Sequence, residues 1–297
     1  MDLSVITVCY NNAEVIIPCL TSVLCNNECD TELFVVDNAS TDGSVEALQK
    51  QFPQVLMISN NTNRGFGAAN NQALRNCHGR YIFFLNPDTI LTKGSLIRVI
   101  SFMDTHPEIG LAGTRIINPD GSLQESISYR YPGEKYARHC LHNLKGKIAC
   151  VLGASMIART KLIQSIGGFD EDFFLYGEEQ DLALRVRRAG QEVGYIDEAV
   201  VIHIRAHSER LTPLAEILEK KVRAEYLFYG KHYDQKAIQR IIRANLIKAI
   251  WRIISLRLEM YLFPIKQTSR DKLVKYETVY RITREIYQKQ YTKRLSA

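Results

Sequence analysis

Runs of unbroken apolar residues, each closed by polar residues and followed by apolar positions at helical spacing, set the rhythm of the first hundred residues. Leu3 to Cys9, Leu33 to Val36, Val55 to Ser59 and Tyr81 to Leu85 predict strands, and the last, without the alternation of a half-exposed strand, predicts one covered on both faces. Between them, helices are expected from Ile16 to Cys25, with Ile16, Leu20, Val23 and Leu24 inward and Pro18 in the first turn, and through Val45, Leu48 and Phe52 behind a cap at Thr41 or Asp42. A further helix is expected from Ala68 to Asn76. Strands alternating with helices at this spacing predict βαβ units, hence the α/β class with a doubly wound, mostly parallel, Rossmann-like sheet. Further on, Cys150 to Ala158 predicts one more strand, Glu178 opens a helix running to Gly190, and Val200-Val201-Ile202 is strand-like. Leu214 to Phe228 follows Pro213 as a helix. Ala244 to Phe263 is apolar but carries Lys248, Arg252, Arg257 and Glu259, which argues against a membrane span and for a basic amphipathic helix on a membrane, or one packed on the α/β domain or in a dimer. The pattern divides the chain into an α/β domain, 1-208, and a basic C-terminal helical appendage, 209-297.

The first, second and fourth strands end in Tyr10-Asn11, Asp37-Asn38 and Asn86-Pro87-Asp88, which places polar residues along the strand ends where open α/β sheets bind ligands. Pro87 takes the chain out of the sheet and leaves Asp88 in that crevice, where a carboxylate suits a divalent cation. The plainer alternative is an Asp that caps a turn before Thr89. No Gly-x-Gly-x-x-Gly or Gly-Lys-Ser/Thr follows the first strand, and Gly65 and Gly67 lack the dinucleotide context. No Gly-rich basic loop is present to hold a triphosphate. A nucleoside diphosphate held through a metal remains.

Composition narrows the picture further. With 46% apolar and 24% charged residues the 297-residue chain can bury a large core. Residues 241–297 hold thirteen Lys/Arg and four Asp/Glu, +9, so the net charge of +6 leaves −3 for the rest. A basic tail on an acidic body excludes a nucleic-acid-binding catalytic domain and suits contact of the tail with an anionic surface. The seven cysteines form no Cys-x-x-Cys pair and predict buried, reduced thiols, with a zinc pair at Cys25 and Cys29 as the lesser reading. No basic-then-apolar leader opens the sequence, so a cytoplasmic location is expected.

Six stretches together resemble family-2 inverting glycosyltransferases of GT-A fold, and among them bacterial rhamnosyltransferases of surface polysaccharide assembly: Val5 to Asn11, Val35 to Ser44, Asn63 to Asn70, Phe84 to Asp88, Gly167 to Asp170 and Leu175 to Leu182. The resemblance covers about the first two thirds of the chain, through Ser208. It implies that Thr7, Tyr10 and Asn11 edge a nucleotide pocket and that Asp37 accepts the N–H of a uracil or thymine ring, although Asp37 in an Asx turn is the local alternative. It implies that Asn63, Arg64, Gly65 and Asn70 border the nucleotide. Asn86 and Asp88 occupy the place of the family's Asp-x-Asp, with Asp88 on Mg²⁺ or Mn²⁺, Asn86 on ribose or a metal-bound water, and His203 as a second metal ligand. Glu179 stands where the family has its general base, an Asp, and Glu178 beside it is the alternative base; helix-dipole complementation is the structural reading of Glu178 and Asp181. Arg185, Arg187 and Arg188 are either phosphate contacts or a solvated face, and His207 has no support comparable to His203. The implied reaction is inverting transfer of a sugar, rhamnose first, from a dTDP or UDP donor to a glycan or lipid-linked glycan, in the cytoplasm or at the inner face of the cell membrane, with a homodimer as a further expected partner. A non-enzymatic nucleotide-sugar-binding scaffold and a sugar nucleotidylyltransferase are the alternatives.

Overall fold

The apolar runs of the first, second and fourth strands are unbroken because both faces of those strands are covered, whereas the third is an edge strand with Leu56 exposed. In the computed structural model, which describes residues 1–204, 212–264 and 266–295 and side chains as far as 289, β1 (Leu3–Cys9), α1 (Ala13–Leu24), β2 (Thr31–Asp37), α2 (Ser44–Gln51), β3 (Leu56–Ser59), α3 (Phe66–Leu74) and β4 (Tyr81–Leu85) alternate as the pattern predicts. Val5, Val35 and Phe83 pack with Ile16 and Leu20 of α1 and Leu48 of α2 on one face. Their sequence neighbours Ile6, Val36 and Phe84 pack with Ala69 and Ala73 of α3 on the other. Burying an aromatic or aliphatic side chain of this size stabilises by about 1.5–3 kcal/mol, so this sandwich anchors the strand ends that carry the polar residues.

The chain continues with β5 (Thr89–Leu91), α4 (Ser95–Thr105), β6 (Ile109–Ile117), β7 (Ile127–Ser128), α5 (Glu134–Ala137), β8 (Cys150–Val151), β9 (Ser155–Arg159), α6 (Thr160–Ser165), α7 (Glu178–Arg188), β10 (Glu192–His203), α8 (Leu214–His232), α9 (Gln235–Leu262) and α10 (Gln267–Leu295). Eight strands form one sheet in the order β3-β2-β1-β4-β9-β6-β10-β5. β1, β2, β3 and β4 run parallel, as do β6 and β10, whereas β9 and β5 are antiparallel to their neighbours.

Two differences from the sequence pattern have local causes. Cys150 to Ala158 is two strands, because β8 pairs with β7 in a separate two-stranded sheet and the chain turns through 152–154 before β9 enters between β4 and β6. Val200-Val201-Ile202 is the end of the twelve-residue β10, whose register on β6 shifts between Ile196 and Val200, where the exposed Asp197 and Glu198 interrupt the apolar run.

The described residues fall into two compact units: 1–131 with 143–204, which holds the sheet, and 132–142 with the residues from 212 onward. The second is helical. Within it Asp234 caps α9 by accepting from the Ala237 N–H at 2.7 Å, Tyr233 donates to the Pro132 carbonyl at 2.6 Å, and the Tyr226 hydroxyl joins α8 to Thr283 of α10 at 3.0 Å. No helix among the described residues is long and apolar enough to cross a membrane. The boundary expected at Ser208, and His207, lie outside the described residues.

Candidate active site

Strand pairing puts the ends of β2, β1 and β4 side by side, with Asp37 opposite Cys9. After β4, the Asn86-Pro87-Asp88 turn is closed by Thr89, whose hydroxyl donates to the Asn86 carbonyl at 2.6 Å. The Asp88 side chain therefore has no part in closing the turn. Because β5 lies antiparallel on β10 with Thr89 opposite His203, the Asp88 carboxylate meets the His203 ring, Oδ1 to Nε2, at 3.4 Å. Both residues are buried, at 5% and 8% exposure.

Gln124 fixes the chemistry of that pair. Its amide nitrogen donates to Asn118 Oδ1 at 2.7 Å and to the His203 carbonyl at 2.9 Å, so its Oε1 is the atom 3.0 Å from His203 Nδ1 and must accept a proton from it. A neutral imidazole protonated at Nδ1 presents the Nε2 lone pair to Asp88. Carboxylate plus imidazole, buried and this close together, is a donor set that Mg²⁺ or Mn²⁺ accepts. The residues fit a divalent ion.

The neighbouring loops are stitched together by their own polar side chains. Asn11, at φ +53°, accepts from the Thr41 N–H through Oδ1 at 2.8 Å, and its N–H donates to Ser40 Oγ at 2.9 Å. Tyr10 is exposed beside it. Asp37 accepts from the N–H groups of Ala39 and Ser40, so the Asx-type turn is present; a carboxylate has about four acceptor positions, and this turn leaves capacity for a ligand. Asn38, which sequence reasoning did not single out, is the hub: it accepts from the Arg64 N–H and donates to Asn63 Oδ1 and the Gly65 carbonyl. The Asn63 side chain in turn accepts from the Gly65 N–H. Gly65, at φ +85°, lies so close to Phe174 that a Cβ would sit 2.5 Å from its carbonyl oxygen, which accepts from the Phe66 N–H at 2.9 Å. Arg64 is exposed. Two expected residues lie deeper. Asn70 is buried in α3 with its amide on the Phe66 carbonyl, and Thr7 is fully buried, its hydroxyl without a hydrogen-bond partner among the described residues.

Gly177, at φ +85°, starts α7, so Glu178 and Glu179 occupy its first turn. Glu178 is 6% exposed, and its Oε2 has no hydrogen-bond partner among the described residues. Burial first, and then the Glu179 charge, push its carboxyl well above the usual carboxylate range. Glu179 is half-buried. A Cβ on Gly153 would stand 3.8 Å from that of Glu179, and the next residue, Ala154, accepts from the Asn86 N–H at 2.9 Å. The 152–154 turn thus spans from the Asn86-Pro87-Asp88 turn to Glu179. The environment separates the two acids into a buried Glu178, its carboxyl raised by that burial, and a more accessible Glu179.

Two of the three arginines of α7 bind other groups of the protein. Arg185 binds Asp181 at 2.6 Å and the carbonyls of Ile166 and Gly168, and Arg187 donates to the carbonyls of Lys145 and Gly146. Of the cysteines, Cys9, Cys19, Cys77 and Cys150 are buried and reduced, Cys29 and Cys140 half-buried, and Cys25 exposed. Burial pushes the thiols of Cys19, Cys77 and Cys150 to about 12. Among the described residues the three-residue group with metal-ligand spacing is His139, Cys140 and Asp234 in the helical unit, not Cys25 and Cys29; there Asp234 already caps α9 and pairs with His139 at 2.8 Å.

The profile of the family described as Glycosyl transferase family 2 matches residues 4–167, more than half of the chain and the part that carries β1 to β9. The N-acetylglucosaminyl-diphospho-decaprenol L-rhamnosyltransferase of Mycobacterium tuberculosis is 26% identical over 262 residues, which cover 78% of this chain and 85% of that protein. Among solved structures, the mannosyltransferase PcManGT from Pyrobaculum calidifontis, in complex with GDP-Man and Mn²⁺, superposes with a TM-score of 0.62 at 15% identity, covering 96% of this chain and 86% of that one. S. aureus TarS 1-349 in complex with UDP-GlcNAc gives 0.54 at 17% identity, with 98% and 92% covered. The chain belongs to glycosyl transferase family 2, as a glycosyltransferase of GT-A fold.

Proposed function

We propose that this glycosyltransferase moves a sugar, rhamnose first among candidates, with inversion from a dTDP or UDP donor to a glycan or lipid-linked glycan acceptor, in the cytoplasm or at the inner face of the cell membrane. The observation that carries the reading is the buried Asp88 carboxylate 3.4 Å from His203 Nε2, with the ring held through Nδ1 by Gln124, at the C-terminal edge of the sheet. Asp88 and His203 would hold Mg²⁺ or Mn²⁺, which when bound neutralises charge on the departing diphosphate. The Mn²⁺ in the PcManGT complex supports that assignment. Asn86, on the same turn, is placed for the ribose or a water on the ion, and Arg64 for phosphate. Tyr10 and Asn11 edge the base. Asp37 accepts the pyrimidine N–H, which selects uracil or thymine.

Glu179 takes the acceptor hydroxyl's proton as its oxygen attacks the anomeric carbon from the side opposite the leaving group, and a single displacement inverts that carbon. Glu178, buried and raised in pKa by that burial, is less open to an acceptor hydroxyl than the half-buried Glu179. The rhamnosyl donor and the lipid-diphosphate acceptor take support from the M. tuberculosis relative's name, and the UDP donor from the TarS complex.

The test is release of nucleoside diphosphate from a panel of dTDP-, UDP- and GDP-sugars with Mg²⁺, Mn²⁺ or EDTA. Release from pyrimidine donors alone, lost in EDTA, is expected. Tight donor binding with no release from any donor would favour the scaffold reading, and formation of nucleoside triphosphate and sugar 1-phosphate on addition of inorganic pyrophosphate would favour a nucleotidylyltransferase.

A further inference from the structure

α9 carries one continuous face that the other described residues of the helical unit leave uncovered. Lys236, Arg240, Arg243, Ile247, Ile250, Trp251, Ile254, Leu258 and Tyr261 follow one another at intervals of three or four residues, apart from the adjacent Ile250 and Trp251, so they share one side of the helix. All are exposed: Ile247 at 70%, Trp251 at 63% and Tyr261 at 86% show how little covers the apolar part. The opposite side is already used. Ile242, Ala249 and Leu256 are buried, Glu259 accepts from Ser269 of α10, Arg252 lies over the Tyr276 ring and Arg257 pairs with Glu277 at 2.7 Å. The uncovered face therefore begins with three cations, continues into six large apolar side chains and contains no Asp or Glu, since Glu259, on the α10 side, is the one acid of the helix.

We propose that this face docks on an anionic lipid bilayer, with Lys236, Arg240 and Arg243 on the headgroup phosphates and the stretch from Ile247 to Tyr261 in the boundary with the acyl chains. Charge decides between this occupant and a second copy of the chain. A twofold pair sets the face against itself, so the cations would meet either each other or the partner's apolar stretch, with no acid to receive them. A bilayer surface offers phosphates and hydrocarbon side by side. Trp and Tyr, each with an apolar ring and one polar atom, suit that boundary, and basic residues near an anionic surface add attraction there. The proposal adds a place of action to the transferase reading and stands independently of it.

Trp251 is the chain's single tryptophan, so its fluorescence reports on this face alone. Addition of equimolar phosphatidylglycerol and phosphatidylcholine vesicles to the full chain is expected to shift its emission to shorter wavelength and allow quenching by brominated acyl chains, with a much smaller effect from phosphatidylcholine alone. Arg240→Gln with Arg243→Gln is expected to weaken binding on the order of tenfold or more and to flatten its salt dependence. Ile247→Ser with Ile254→Ser, both at exposed positions, is expected to abolish the shift while leaving the far-UV circular dichroism unchanged. Unchanged emission with the anionic vesicles would overturn the proposal. So would an equal shift with phosphatidylcholine alone, or a shift that grows with protein concentration in the absence of lipid together with a dimer mass.

Discussion

Gln124 shows how one side chain sets the properties of another. By accepting from His203 Nδ1 it assigns the lone pair to Nε2, the atom that faces Asp88. Gln124→Leu removes that acceptor, and Mn²⁺ affinity measured by calorimetry or electron paramagnetic resonance is expected to fall on the order of ten- to a hundredfold. Unchanged affinity would remove Gln124 from the site. Glu178 makes a second prediction, through stability. Because its folded pKa is raised, the stability it contributes is fully present below the unfolded value of roughly 4.3 and is lost as pH rises through the folded value. Glu178→Gln cannot ionise, so its Tm relative to the parent should increase with rising pH across that interval; a pH-independent difference would count against a raised carboxyl. Asp88, His203, Glu178 and Glu179 were legible because each stands at the end of a recognisable strand or the start of a helix. Gln124 was not, since it lies 79 residues from His203 in sequence and only the packing of β10 brings the two together.

The helix starts and turns around the crevice depend on a few backbone positions, and a paired substitution separates conformation from contact. Gly43 and Gly65 both have φ near +85°, yet a Cβ on Gly43 meets nothing within 4 Å whereas one on Gly65 meets the Phe174 carbonyl at 2.5 Å. Gly43→Ala should cost about 1 kcal/mol, the backbone part alone, while Gly65→Ala should cost at least roughly twice that and weaken donor binding, as read from denaturant midpoints and calorimetry. Equal costs would show that the 65–174 approach carries no weight. Strand and helix order up to β4 was readable because both faces of β1, β2 and β4 are apolar. The split at 152–154 was not, because Gly153-Ala154 fits a strand interior as well as a turn, and the full length of β10 was hidden by the two acids at its register shift.

Taken together, the chain combines a GT-A sheet with a helical unit that also claims residues 132–142, inserted in sequence between β7 and β8. That insertion was unreadable in advance: a short segment with Pro132 and Gly133 looks like any surface loop, and its packing against α9, through Gly133 and Ile241, is non-local. The basic character of the tail was legible from charge alone, whereas the exposed face of α9 needed the packing of α10 to define it. At the strand ends the central proposal is that Glu179, and not its buried neighbour Glu178, is the carboxylate that deprotonates the acceptor. The most direct measurement pairs donor affinity with single-turnover rate for Glu179→Gln, which keeps the side chain's size and removes its basicity. The account predicts unchanged donor affinity and a rate lower by about 100- to 10,000-fold, with a much smaller loss in Glu178→Gln. Normal turnover by Glu179→Gln beside an inactive Glu178→Gln would contradict it and move the base one residue back.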